Sequence, residues 1–378
     1  MKYQNEGGMQ TEYNEIEMYV LSDKDVKKLV GWYRKHKRSF PWRDSEDPYD
    51  VWISEIMLQQ TRTEAVIPYF ERFKKEVPDI QSLAAMDEDK LFRLWEGLGY
   101  YSRARNLKRC ATVLVEQYDG KLIADYDSLL KLPGIGPYTA GAIMSIGFDQ
   151  GYAAIDGNVL RVLARFFGIR EDIRRDAVRK DLEETIVTYY KGQKRTKGLA
   201  RDLSQAFMDL GATICIPNGK PLCESCPLKD SCYACQNDCC EILPYRSKNK
   251  ERKIVHRTLF ILRSGETFLI RKRPSKGLLA GLYEFLGVDE DVTESEARAY
   301  LKTLGYDSLR IKRLPDAKHI FSHVEWHMRA YEIQIGNWDV PLEENEVLVD
   351  RKKLNDLAIP SAFKTYIDYY ALREENET

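Results

Sequence analysis

Long apolar runs are missing from this chain. None of its 378 residues fall in a stretch of about 18 consecutive apolar residues, which predicts no membrane-spanning helix. Charge of one sign is missing as well: 58 Lys and Arg stand against 59 Asp and Glu. No overall basicity announces nucleic acid, so a basic footprint must be local. The opening residues, MKYQNEGGMQTEYNEIEMYV, are polar and acidic and lack the apolar core of a signal peptide. Residues 1–21 therefore read as a flexible extension, and the protein as cytoplasmic. Cysteine is almost absent outside one short stretch, since only Cys110 lies beyond Cys215–Cys240. In an unsecreted protein that clustering argues for a metal site over disulfides.

The stretch present with the most information is LPGIGPYTAGAIMSIGFDQGYAAIDGNV, residues 132–159. Gly134 and Gly136 permit a tight turn and close backbone approach. Pro137 suits the first position of a helix that runs on through Ala140, Ala142, Ile143 and Ile146. The unpaired N–H groups and dipole at such a helix start favour a phosphate; a plain helix–turn–helix corner needs no ligand. Further on, Asp156 precedes a second apolar-periodic helix (Val159, Leu160, Val162, Leu163, Phe166), where its ordinary role is an N-cap. A phosphate grip followed closely by a carboxylate resembles the helix–hairpin–helix and catalytic-aspartate segment of DNA base-excision glycosylases.

Upstream, Ser22 and Asp25 begin a helix to about Lys37, and Asp47–Pro48 begin another. In the second, Glu55 stands among Trp52, Ile53, Ile56 and Met57 with no basic residue within a turn. A carboxyl desolvated there suits a general acid; most helical glutamates are simply surface residues. The segment WISEIMLQQT resembles the catalytic segment of the MutY branch, the A/G-specific adenine DNA glycosylases. That resemblance makes Glu55 the acid, and it matches Gln60 and Tyr100 to positions that wedge into the duplex. Residues 92–107, FRLWEGLGYYSRARNL, mix Phe92, Trp95, Tyr100 and Tyr101 with Arg93, Arg103 and Arg105. They fit stacking on bases and gripping phosphates, or alternatively a core of aromatics with a solvated basic face. Arg38 and Arg43, flanking FPW, could serve phosphates or bases.

Cys215, Cys223, Cys226 and Cys232 are spaced C-x7-C-x2-C-x5-C. Such thiolates can converge on a [4Fe–4S] cluster or a tetrahedral zinc, although a zinc ribbon separates its knuckles by a dozen or more residues. The family's cluster loop reads C-x6-C-x2-C-x5-C, so this chain has one extra residue in IPNGKPL. Cys235 forms a further C-x2-C with Cys232, leaving the fourth ligand open, and Cys239 and Cys240 are spare. The resemblance implies a [4Fe–4S] cluster that folds a loop bearing Lys220 and Lys229 against DNA.

Related lyases of the endonuclease III type carry a Schiff-base lysine in the hairpin, and the corresponding residue here is Tyr138. A phenol cannot form that adduct, so a monofunctional glycosylase using water is implied. Asn158 would orient neighbouring groups in a lesser role. After the cysteines, residues 246–276 hold eleven Lys and Arg against Glu251 and Glu266, first as a linker and then in strands. TLFILR, TFLIRKR and GLLAGLYEFLGV read as strands, Thr293–Leu304 as a capped helix, and Val324–Ala330 as a half-buried strand. This part resembles the Nudix-like domain of MutY proteins. Lys302 and Thr303 replace the paired acids of a Mg²⁺-dependent hydrolase, which predicts that activity to be lost. In HIFSHVEW, His319 and His323 could ligate a metal or merely hydrogen-bond; by resemblance Phe321, Ser322 and His323 match a segment that recognises 8-oxoguanine.

The expectation is thus an all-α helix–hairpin–helix glycosylase domain (22–235, cluster loop 215–232), a linker (236–254), and a C-terminal α/β Nudix-like domain (255–370). Its partner would be double-stranded DNA with 8-oxoguanine:adenine or guanine:adenine mispairs, bound by a monomer away from membranes. The alternatives are another mismatch glycosylase of the same superfamily, or a catalytically silent lesion-binding protein.

Overall fold

A computed structural model describes residues 19–43, 45–194, 196–247 and 251–371. Residues 1–18 of the expected extension and 248–250 of the expected linker lie outside the described residues. The chain opens with helices α1 (Asp23–His36), α2 (Pro48–Leu58), α3 (Thr63–Glu76), α4 (Ile80–Ala85), α5 (Glu88–Leu94) and α6 (Ser102–Gln117). It continues through α7 (Tyr126–Leu129), α8 (Pro137–Ala142), α9 (Gly157–Phe167), α10 (Asp176–Lys191), α11 (Leu199–Thr213) and α12 (Tyr233–Gln236). Strands then follow: β1 (Lys253–Ser264), β2 (Thr267–Lys272), β3 (Tyr283–Glu284) and β4 (Leu286–Val288). After α13 (Glu294–Thr303) come β5 (Ser308–Ile320), β6 (Val324–Ile335) and β7 (Glu346–Asp350), with α14 (Arg351–Asp356) and α15 (Lys364–Ala371) last. No helix among the described residues is long and apolar enough to cross a membrane.

The helix starts follow their capping residues. Ser22 accepts the Asp25 N–H at 3.1 Å, and Asp47 accepts the Tyr49 N–H at 2.9 Å ahead of Pro48. Thr293 and Glu296 close a reciprocal capping box on α13. Gly305, at φ 86°, stops the chain beyond that helix as a left-handed residue should.

The described residues divide into two compact units. One draws on described residues between 19–52, 123–131 and 135–247, the other on those between 53–122, 132–134 and 251–371. The expected single helical domain over 22–235 is therefore shared between them, with crossings inside α2 and around the hairpin. The first unit packs α1, α9, α10 and α11 around Leu29, Leu163, Leu182, Leu203 and Phe207. Arg38 and Arg43 converge there on Asp209 of α11, with closest contacts of 2.8 and 3.0 Å. Asp209 is wholly buried, so both guanidinium groups neutralise an interior charge.

In the second unit the sheet runs β3-β2-β1-β6-β5, with β4 on β1 and β7 on β2. The central pair is parallel: Lys253–Arg263 register with Val324–Gln334. That pairing draws β1 back to Lys253, ahead of the expected strand TLFILR. Trp326, Met328 and Ala330 alternate inward from β6. Residues 277–288, expected as one strand, are instead a loop and two short strands. Gly277, Leu279 and Gly281 take φ of 95°, 55° and 69°, and a ladder cannot be continued through left-handed residues. Buried Glu284 of β3 meets Arg271 at 3.0 Å, Arg257 at 3.4 Å, and Arg273.

Removing one member of a buried ion cluster leaves uncompensated charge. Asp209→Ala is expected to lower unfolding stability by about 3–5 kcal/mol, read as an earlier urea midpoint with an unchanged slope.

Candidate active site and nucleic-acid interface

The glycine hairpin is built as the sequence predicts. Gly134 is left-handed (φ 77°), and a Cβ there would stand 2.6 Å from Cβ of Asn106. Gly136 is the N-cap of α8 and Pro137 its first residue. The helix runs on as a π-turn over Ile143–Gly147. Gly141, which sequence reading passed over, explains the spacing: a Cβ there would meet the Ala153 carbonyl oxygen at 1.9 Å. Only glycine lets α8 lie directly on the backbone that leads to Asp156.

Asp156 is the N-cap of α9. One carboxylate oxygen accepts the Asn158 and Val159 N–H groups at 2.8 and 2.7 Å, and the other accepts the Asn158 amide at 2.9 Å. Arg161 donates to the Asn158 side-chain oxygen at 2.9 Å, to the Gly211 carbonyl at 2.8 Å, and to the Cys215 carbonyl at 2.8 Å. Burial raises the Asp156 pKa, while these hydrogen bonds and the Arg161 charge pull it back down. Gly211 is again a required glycine, with a Cβ placed 2.6 Å from Cβ of Asn158. Arg161 and Gly211 were not singled out in sequence; an arginine inside an apolar stripe was the available signal. Tyr138, partly buried, packs against the same core.

Glu55 is buried on α2, 6% exposed. The carbonyls at the end of that helix are gathered by Arg103, which donates to Ile56, Met57 and Gln59 at 2.7, 2.9 and 2.7 Å. Its other terminal nitrogen reaches the Leu98 and Gly99 carbonyls at 2.9 and 3.0 Å. Burial pushes Arg103 down to about 10, so it stays charged at neutral pH. This guanidinium is therefore structural and does not reach phosphates. The residues that follow the two gathered segments, Gln60 and Tyr100, are left-handed at φ 59° and 49°. Phe92, Trp95 and Tyr101 are core, whereas Tyr100 is 45% exposed. Of that aromatic set, Tyr100 alone is well exposed.

A cavity of about 500 Å³ within the second unit brings Tyr100 together with Phe321, Ser322 and His323. Those three form the turn between β5 and β6. Phe321 packs edge-on to Trp326 and His319, at 4.9 and 4.6 Å between ring centres. Ser322 Oγ lies 3.2 Å from His323 Nδ1. Leu278, Leu279 and Ala280 supply another wall, and Arg105 donates to the Ala280 carbonyl while holding Glu88 at 3.1 Å. On α13, Arg298 binds the Ser308 carbonyl and hydroxyl at 3.2 and 2.9 Å.

In the first unit, Cys215, Cys223, Cys226 and Cys232 line one cavity with Cys235 and Cys240. Arg165 of α9 donates to Cys215 Sγ at 3.3 Å and to the Ile216 and Leu243 carbonyls at 2.9 and 2.8 Å. Among the described residues no group of three His, Cys, Asp or Glu is arranged to hold a single metal ion. Lys229 pairs with Glu224 at 3.1 Å on the exposed side of this loop.

Residues 53–187 match the family model of the HhH-GPD superfamily base excision DNA repair protein, and residues 257–369 match that of the NUDIX domain. An adenine DNA glycosylase of Buchnera aphidicola subsp. Baizongia pistaciae is 32% identical over 324 residues, 85% of this chain and 89% of its own length. The chain belongs to the adenine DNA glycosylase family. The mouse adenine DNA glycosylase is 32% identical, with 81% of this chain and 70% of the relative aligned. A solved thermostable thymine-DNA glycosylase is 28% identical, with a TM-score of 0.50 over 57% of this chain and 97% of its own. The fold is thus a helix–hairpin–helix glycosylase with a C-terminal Nudix-like domain, as the motifs predict.

Lysine has no planar fork to serve both carbonyl sets, so Arg103→Lys is expected to destabilise by about 1–3 kcal/mol. Loosening Gln60 and Tyr100 should also raise the dissociation constant for a duplex carrying a non-cleavable adenosine, measured by fluorescence anisotropy.

Proposed function

We propose that the protein is a monofunctional glycosylase that hydrolyses the N-glycosidic bond of adenine paired with 8-oxoguanine or guanine. The observation that carries this reading is the Asp156 carboxylate, fixed by two backbone N–H groups and an amide that Arg161 itself fixes. Asn158 is that amide, so it orients the carboxylate without moving a proton. A preorganised anion of this kind suits the developing charge of an oxocarbenium-like sugar. The adenine must first leave the base stack. Buried Glu55 supplies the proton to the departing base, whose ring nitrogen carries the new charge, and as a carboxylate it then assists attack by water. Tyr138 takes the hairpin position where a lyase would need an amine, so no Schiff-base adduct forms from that position. Gly134 and Gly136 leave backbone N–H groups open to a phosphate.

Opposite the excised base, the cavity of Tyr100, Phe321, Ser322 and His323 offers one exposed phenol ring, a hydroxyl and an imidazole. Stacking on Tyr100 with a hydrogen bond to Ser322 fits an oxidised purine. Gln60 completes the wedge beside Tyr100. Arg38 and Arg43 stand apart from this reading, because Asp209 already engages them.

The four cysteines of the C-x7-C-x2-C-x5-C pattern fit a [4Fe–4S] cluster. Their cavity is thiol-rich and otherwise lined largely by apolar side chains such as Val162, Phe166, Leu210 and Leu228. A single tetrahedral ion would draw its sulfurs to roughly 3.8 Å of one another, whereas a cluster spreads its ligands over separate irons. The cluster's contribution is to fold the loop, and the chemistry rests on the carboxylates.

A labelled duplex with one adenine opposite 8-oxoguanine tests the reading. Scission of the adenine strand is expected only after hot alkali, with cytosine or thymine in the adenine position left intact. Scission without alkali, or borohydride trapping of a protein–DNA adduct, would overturn the monofunctional assignment. Glu55→Gln is expected to slow single-turnover excision by about 10²–10⁴-fold. Asp156→Asn, which preserves the N-cap, should lose about 10²–10³-fold while still binding the duplex. Because the Asp156 pKa is raised and its anion is needed, excision should fall with acid at a pH above that of an ordinary aspartate, near 4. A single-turnover pH profile reads that limb.

A further inference from the structure

The backbone leading into Asp156 is gripped by three helices. α8 lies on Ala153 through Gly141, where an added Cβ would meet the Ala153 oxygen at 1.9 Å. α9 holds the carboxylate itself through the Asn158 and Val159 N–H groups. The third grip comes from α10: a terminal nitrogen of Arg179 donates to the Ile155 carbonyl at 2.6 Å. That carbonyl belongs to the peptide unit whose nitrogen is that of Asp156, and Ile155 is only 1% exposed. A peptide unit is planar, so a bond to its oxygen also restrains the direction in which the chain enters Asp156. A buried carbonyl left without a donor is costly. The first turn of α10 carries Arg179 to this place, with Val178 and Leu182 on either side of it buried in the core. Its partly buried side chain also faces Glu183, one turn along the helix. Burial raises the Glu183 pKa, and the Arg179 and Lys180 charges pull it back down.

We propose that Arg179 is a positioning residue for adenine excision, holding the Ile155–Asp156 peptide so that the carboxylate is presented in one fixed direction. This inference rests on the reading of Asp156 as the catalytic carboxylate. Arg179 acts through the backbone ahead of the cap, and so differs from Arg161, which acts through the Asn158 amide behind it.

Single-turnover excision is measured with full-length protein in saturating excess over a duplex carrying one adenine opposite 8-oxoguanine. The dissociation constant for a non-cleavable duplex and the helical content by circular dichroism are read alongside. Arg179→Met keeps an unbranched stem but loses every donor, and is expected to slow excision about tenfold with the dissociation constant unchanged. Arg179→Lys puts a donor back at the end of a similar stem and should recover most of that rate. Glu183→Gln should excise as wild type does, since the carbonyl bond is what matters and not the Glu183 charge. In an Asp156→Asn background, adding Arg179→Met should cost less than about twofold more, because the two residues act as one unit. An Arg179→Met protein that excises at the wild-type rate overturns the proposal. So does an equal loss in the Asp156→Asn background, or a Glu183→Gln or Arg179→Lys protein as slow as Arg179→Met. A loss seen only in the dissociation constant makes Arg179 a DNA contact, and a loss of helical content makes it a fold contact; either result overturns positioning. Asp156→Asn excising at the wild-type rate overturns the catalytic reading of Asp156 itself, a result read separately from the Arg179 variants.

Discussion

Helix α9 is the element on which the chemistry of the first unit depends, and its three polar side chains explain why. Asp156 caps its start, Arg161 leaves its first turn, and Arg165 follows one turn later on the same side. Arg161 ties the Asn158 amide to the Gly211 and Cys215 carbonyls, and Arg165 ties Cys215 Sγ to the Leu243 carbonyl. Burying two guanidinium groups is costly unless their donors are used, and here they are used on groups that otherwise have no reason to stay in place. The carboxylate proposed for catalysis and the cysteine loop are thereby held by one helix. Arg161 contacts both the Cys215 carbonyl of that loop and the Asn158 amide that holds the carboxylate.

The same device recurs at other buried charges. Asp209 collects Arg38 and Arg43, Glu284 collects Arg257, Arg271 and Arg273, and Arg103 collects five carbonyls. Asp209 and Arg103 join segments far apart in sequence, Glu284 joins nearby strands, and each has strict geometric needs that hydrophobic contact would not impose. Such clusters contribute little net stability against an apolar replacement. What they supply is a defined placement for the backbone around them.

That is also why they were hidden in the sequence. Features set by neighbours along the chain were legible: the Ser22 and Thr293 caps, Pro137 at the start of α8, the inward alternation of Trp326, Met328 and Ala330, and burial of Glu55. Features set by partners over a hundred residues away were not. Arg38 and Arg43 read equally well as phosphate ligands, because Asp209 gives no local sign of its role. The parallel pairing of β1 with β6 is likewise non-local, and it moved the strand start to Lys253. The loop at 277–282 was misread for a different reason: GLLAGLYEFLGV has the composition of a strand, and only the φ values of Gly277, Leu279 and Gly281 break it. Glycine announces that freedom, but nothing in sequence shows that leucine takes it.

Leucine at φ 55° is the informative case. Among the described residues six non-glycine residues have positive φ, and three of them, Asp119, Asp149 and Asp238, are of a type that tolerates it. Gln60, Tyr100 and Leu279 are not, and conformations of this kind cost on the order of 1–3 kcal/mol each. Strain of that size persists only where surrounding contacts over-determine the backbone. For Gln60 and Tyr100 those contacts are the carbonyls gathered by Arg103 on the residues just before them; for Leu279 they include the Arg105 bond to the next carbonyl. Tyr100 and Leu279 line one cavity with the Phe321–His323 turn. Two arginines of α6, Arg103 and Arg105, thus hold strained residues on a single concave surface. A relaxed backbone would lack that strain but would not hold Tyr100 in this conformation, which is the arrangement that the proposed recognition of an oxidised purine uses.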